Sequence, residues 1–244
     1  MKKIAVFTLL IFFLSVENSF AWGPMTHTYF AFEILRAASL LPVALHALLT
    51  AYSTNFIYGS VVADTFLGKR GQKNPHDWET GFALLHHAKK SPDSAFAYGF
   101  LAHLAADTVA HGQMDLGAKS KLGHAWVELE SDSLVAKQCW PTAARLDKGQ
   151  IESNDRLTRK VIDPKDCRSK SFQNIYRMYI QMSVLNRRRI TQFHPGDFYP
   201  YHQLSIQRAI DVLSMQDSSR CVRFTPNINK KNTLSTALKN LFTC

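Results

Sequence analysis

Histidines and carboxylates recur in this chain at intervals that suit a metal ion. In the segment HLAADTVAH, His103, Asp107 and His111 repeat every four residues. A helix turns about 100° per residue, so the three side chains fall within an arc of about 80° on one face. Imidazole nitrogen and carboxylate oxygen converging in this way suit Zn2+, which accepts both. With 10 histidines and 19 acidic residues in 244 positions, a pattern H-x3-[DE]-x3-H is expected by chance only about 0.03 times. Phe96, Phe100, Leu104 and Val109 share the segment, and polar groups so surrounded tend to be paired or metal-bound.

Further donors flank this unit. HAWVELE places His124 and Glu128 one helical turn apart. That spacing alone is expected about 0.8 times by chance, but here it follows the first unit at a helix-hairpin distance, which lets two helices share one cluster. GSVVADTF contributes Asp64 and NPHDWETG contributes His76. An aspartate in a loop is as readily a turn or capping residue, and His86 or His87 of LLHHAKK are alternatives to His76 as the donor. His46, His194 and His202 read as ordinary structural or surface histidines.

The elements that must position these residues are helices, because 3.6-residue periodicity dominates and alternating strand patterns are nearly absent. The fold expected is all-α, a helical bundle with a zinc site between its helices, following an N-terminal signal peptide. Pro24 sits where a first helix begins, and a second opens at Pro42. The segment from Gly59 to Pro75, rich in glycine and charge, reads as a short turn plus an irregular loop. Helices are then expected over Trp78 to Lys90, Pro92 to His111 with Gly112 as its stop, and Gly117 to about Lys137. A polar stretch of weak periodicity runs from Pro141 to Ser169, and helices resume over Phe172 to Ile190, Pro200 to Met215 and Thr233 to Phe242.

Lys2 and Lys3, the apolar run Ile4 to Val16, and Ser19-Phe20-Ala21 together form a signal-peptide pattern. Cleavage after Ala21 is expected, giving residues 1–21 as the signal peptide and 22–244 as a single domain in an exported, periplasmic or secreted protein. The apolar run is short of the roughly 20 residues that a spanning helix needs. The formal charge of +10 falls by one unit when Lys2, Lys3 and Glu17 leave. Such a balance favours anionic partners, a phospholipid surface or a nucleic acid. Cys139, Cys167, Cys221 and Cys244 read as structural disulfides in an oxidising compartment, with buried thiols as the alternative, and their pairing stays open among three connectivities.

Taken together, WGPMTH, GSVVAD, NPH, HLAAD and HAWVE resemble the zinc-dependent phospholipase C family and, by extension, the single-strand zinc nucleases of the same fold. The similarity is strongest over residues 22–135. In that family a tryptophan exposed by processing binds zinc through its α-amino nitrogen and carbonyl oxygen, which gives Trp22 a role that only cleavage after Ala21 would create. A free α-amino group titrates near 7.7–8.0, about neutral, so a metal can displace its proton. The resemblance implies three zinc ions: Asp64, His76, His103 and Asp107 around one, Trp22, His27 and again Asp107 around a second, and His111, His124 and Glu128 around a third. The interval of four residues from Asp107 to His111 is shorter than the family's.

The implied reaction is hydrolysis of phospholipid headgroup phosphoesters by metal-activated water, with Asp64 or Glu128 orienting or deprotonating that water. Tyr58, Phe66 and Trp78 near the ligand loop are candidates for an apolar entrance. The substrate partner expected is a phospholipid or other phosphodiester, met through peripheral contact with a membrane surface by a monomeric protein. Two other readings stand beside it. A zinc-dependent single-strand nuclease or nucleotidase would take nucleic acid as its partner, and Arg187-Arg188-Arg189 would then grip phosphates, although a solvated helix end explains that triplet as well. A non-catalytic exported zinc-binding protein is the third; an open set of His and carboxylate donors argues against it, since structural sites are closed by Cys and His.

Overall fold

The computed structural model of the protein describes residues 22–65, 73–113, 127, 130–135, 139, 148–162 and 195–226, and among them every regular element is a helix. The chain is all-α. In order, α1 spans Pro24–Arg36, α2 Val43–Ala51, α3 Ser53–Val62 with a 3-10 turn at Ala63–Thr65, α4 Trp78–His87, α5 Ser91–Gly112, α6 Lys148–Ile162 and α7 Pro195–Met215. Two short 3-10 turns, Gln216–Ser218 and Arg220–Arg223, follow. Among the described residues no helix is long and apolar enough to cross a membrane.

The axis of the fold is α5, whose 22 residues extend about 33 Å. It lies between two apolar clusters. One joins Trp22, Phe30, Ile34, Leu49 and Phe198 to its Leu101, Ala105 and Ala106; the other joins Met25, Tyr58, Val61 and Leu84 to its Phe96, Phe100 and Leu104. Each large side chain so buried contributes about 1.5–3 kcal/mol. Helix α1 begins with Pro24 at its first position, where no amide donor is needed.

The closest packing is between α3 and α5. A Cβ added at Gly59 would lie 2.0 Å from the Phe96 carbonyl oxygen, and one added at Gly99 would lie 2.0 Å from that of Phe56. Two glycines therefore face each other's backbones across the crossing, and no other residue fits either place. This corrects the expected loop: Gly59 to Val62 is the last turn of α3, and its glycine serves backbone contact rather than chain reversal.

Three other expectations change. The polar stretch after Pro141 contains α6. Its inward face mixes the apolar Ile151, Leu157, Val161 and Ile162 with buried polar groups that interrupt the apolar pattern: Tyr58 Oη donates to Asp155 Oδ1 at 2.5 Å, Asn55 Nδ2 to Asn154 Oδ1 at 2.7 Å, and Asn154 Nδ2 to Asp93 Oδ1 at 3.0 Å. Helix α7 starts at Pro195 and carries Pro200 inside it, rather than starting there. Cys139 and Cys221 are both buried and not bonded to each other. The segment 1–21 expected to be a signal peptide, Cys167, Cys244, the helices expected over 172–190 and 233–242, and most of the one over 117–137 lie outside the described residues.

Candidate metal centre

The crossing of α3 with α5 builds the site. Gly99 stands one turn before His103, and Gly59 immediately before Ser60, so the close approach brings the Ser60 carbonyl to His103, whose Nδ1 donates to it at 3.0 Å. With that proton committed to a carbonyl, Nε2 of the neutral ring presents its lone pair to the interior. There it meets Asp107 Oδ2 at 3.1 Å, His76 Nε2 at 3.2 Å and Asp64 Oδ1 at 3.5 Å. His76 Nε2 is in turn 3.1 Å from Asp64 Oδ1 and 3.7 Å from Asp107 Oδ2.

Each member is positioned by a different device. Asp64 sits in the 3-10 turn that closes α3. His76 lies on the approach to α4, held where its amide donates to Asn74 Oδ1 at 2.9 Å and Thr80 Oγ1 donates to the Asn74 carbonyl at 2.7 Å. His103 and Asp107 stand one turn apart on α5, and next to Asp107 the hydroxyl of Thr108 accepts from Arg208 Nη1 at 2.8 Å. That buried guanidinium stacks 4.2 Å over the Phe224 ring.

On the other side of Asp107, Oδ1 lies 3.2 Å from His27 Nε2. The two atoms are buried, and their alignment is not that of a hydrogen bond. The His27 ring stacks on His103 with centroids 4.0 Å apart. One carboxylate thus turns Oδ2 to His103 and His76 and Oδ1 to His27. Trp22 is fully buried beside this arrangement, its Nε1 donating to the Ala106 carbonyl at 3.2 Å.

The electrostatics follow from burying charge at such short range. Burial disfavours an imidazolium at His103, but Asp107 and Asp64 outweigh it and raise its pKa to about 9. Burial would also raise the Asp107 carboxyl, yet His103 and His27 hold it well below the usual carboxylate range. His27 is lowered by burial and by the neighbouring His103. Without metal, a proton on His103 balances the carboxylates.

The donor set fits a zinc ion. Asp64, His76, His103 and Asp107 offer ligand atoms that all lie within 4.8 Å of one another, and all four residues are buried. An ion about 2.0–2.1 Å from four tetrahedral donors spaces them about 3.3–3.4 Å apart, and the five separations above run from 3.1 to 3.7 Å. Two imidazole nitrogens at 3.2 Å need something positive between them.

A family described as zinc-dependent phospholipase C matches residues 26–180. The chain belongs to that family. No curated protein and no solved structure matches the chain. The span of this zinc-dependent phospholipase C match begins just after Trp22 and continues past residue 135, into a part of the sequence where only helical character is expected to be shared.

Other residues singled out in the sequence are distributed as follows. His86 and His87 are exposed at the end of α4, whereas His76 is buried within the group of four. His111, one turn beyond Asp107, is half-buried and stands outside the group of four. His124, Glu128, Phe66 and His194 lie outside the described residues. Tyr58 lines no entrance, because it is fully buried and bonded to Asp155. Trp78 is half-buried against Phe82 and donates to the Phe224 carbonyl at 2.8 Å. His46 bonds the Leu35 carbonyl. Burial pushes His202 down to about 4, a neutral ring among Trp22, Phe30 and Phe198. Ser60, Thr108 and Arg208 were invisible to sequence reading, since a main-chain acceptor and a distant buried arginine leave no motif.

Proposed function

We propose that this member of the zinc-dependent phospholipase C family is an exported phosphoric diester hydrolase that cleaves phospholipid headgroup phosphoesters with a metal-activated water. The observation that carries the reading is the buried quartet Asp64, His76, His103 and Asp107 at separations suited to Zn2+. These four would hold one ion. Trp22, through its main chain, and His27 would share Asp107 with a second, and His111, His124 and Glu128 would hold a third.

Bound zinc supplies a coordinated water whose pKa drops from 15.7 toward about 7, together with positive charge for the phosphate and the leaving oxygen. The chain supplies the rest. Ser60 keeps His103 in the tautomer that aims Nε2 inward. Asp107 turns one oxygen to His103 and His76 and the other to His27. Asp64 or Glu128 would orient or deprotonate the attacking water. The leader-like segment at residues 1–21 supports export, and the formal charge, +10 for the full sequence and one unit less without that segment, favours an anionic lipid surface over a neutral one.

The test uses the full chain expressed with its own leader and purified after export. Elemental analysis should find zinc, and a chromogenic phosphocholine ester and phosphatidylcholine vesicles should both be hydrolysed, with diacylglycerol as a product. Hydrolysis of single-stranded DNA alone would make the protein a nuclease, zinc without turnover would make it a binding protein, and a zinc-free sample would end the reading.

A further inference from the structure

The first turn of a helix carries amide donors that no carbonyl of its own can accept. At the start of α1 the capping position is Gly23, which has no side chain to offer. The acceptor comes from more than a hundred residues downstream. Met25 N donates to Asp132 Oδ2 at 3.2 Å, Thr26 N to Asp132 Oδ1 at 2.8 Å, and Thr26 Oγ1 to the same oxygen at 2.9 Å. Asp132 is fully buried. A Cβ on Gly23 would lie 2.4 Å from its carboxyl carbon, so a glycine is what lets the carboxylate come this close.

The capped turn is tied to the metal centre at both ends. On one side Trp22 donates its indole proton to the Ala106 carbonyl. On the other, His27 follows Thr26 directly, its amide bonded to the Gly23 carbonyl at 3.1 Å and its imidazole set against Asp107 Oδ1 at 3.2 Å. The place of His27 therefore depends on whether this one turn is formed. A negative charge at the positive end of a helix favours its formation.

We propose that Asp132 is a positioning residue: it caps α1 from across the fold and thereby seats Trp22 and His27 at the Asp107 carboxylate. The inference rests on the zinc reading of the site. It adds a residue outside the candidate donor set that sets whether the N-terminal donors are in place. Outer residues of this kind change metal affinity by about 10- to 100-fold when altered.

The experiment compares the exported wild-type chain with Asp132→Asn, which keeps the shape but turns an NH2 group toward an amide donor. Hydrogen exchange of the zinc-free proteins is expected to be about tenfold faster over residues 22–30 in the variant, with α5 unchanged. Zinc affinity is expected to fall about 10- to 100-fold. Unchanged exchange over 22–30, or acceleration spread equally through α5, would overturn the proposal. If Asp132→Asn does not fold, Thr26→Val, which removes the hydroxyl held between Ser131 and Asp132 while both amide bonds to Asp132 stay, decides: faster exchange confined to 22–30 supports capping, and acceleration spread equally through α5 refutes it. A wild-type chain that binds no zinc would defeat the metal reading, while the exchange data would still judge the cap.

Discussion

A carboxylate and an imidazole buried together at 3.1 Å hold a proton that a metal must displace, and this fixes how the centre responds to pH. His103, raised to about 9, is charged in the zinc-free protein at neutral pH. Zinc affinity should therefore weaken by about tenfold for each unit of pH below 9 and level off above it. Competition titrations between pH 7 and 9.5, with proton release followed in weak buffer, check this. Asp107→Asn should weaken that dependence, because the larger of the two carboxylate charges that raise His103 is gone while that of Asp64 stays, and elemental analysis should show more than one ion lost, because one carboxylate faces His103 and His76 with one oxygen and His27 with the other; loss of a single ion would argue against bridging. The residues behind this chemistry were unequally legible. His103 and Asp107 were visible because one turn of helix is a fixed interval in sequence. Asp132 and the Ser60 carbonyl were not, since their partners are set only by how distant helices meet.

At the scale of elements, the meeting of α3 and α5 decides whether the donors converge. Alanine ordinarily stabilises a helix over glycine by about 1 kcal/mol. At Gly59 the added carbon would lie 2.0 Å from a backbone oxygen of α5, and a backbone cannot rotate aside as a side chain can. Gly59→Ala should therefore destabilise the fold by at least about 1–3 kcal/mol and weaken zinc binding with it, read by chemical denaturation and metal titration on the same sample. Gly59→Ala leaving both unchanged would show that the crossing is looser than its contacts indicate. Helices α1, α2, α4 and α5 were readable from apolar faces and proline starts. The last turn of α3 was not, because a glycine in a charged neighbourhood looks the same in sequence whether it turns the chain or lets two helices touch. Helix α6 was missed for another reason: buried Asn154, Asp155 and Thr158 are polar and paired, and they break up the apolar face made by Ile151, Leu157, Val161 and Ile162.

Across the whole molecule, the centre gathers α1 through His27, the turn after α3 through Asp64, the approach to α4 through His76, and α5 through His103 and Asp107. Segments far apart in sequence are joined at one point, so metal bound there stabilises the native chain as a whole. At a free zinc concentration about 100 times the dissociation constant the gain is about 2.7 kcal/mol. For a chain of this size that is roughly 5–10 °C in melting temperature. Chelation should lower the melting temperature by about that amount and zinc should restore it, as scanning fluorimetry would show; an unchanged midpoint would mean that the gathered segments owe nothing to metal. The Gly59 and Gly99 contact has a last consequence. Because main-chain atoms themselves set the gap between the two helices, the bite of the donors is gauged by the covalent skeleton, which has no rotamers to change. Surrounding core side chains can be exchanged over evolutionary time while the caliper stays closed on the same width.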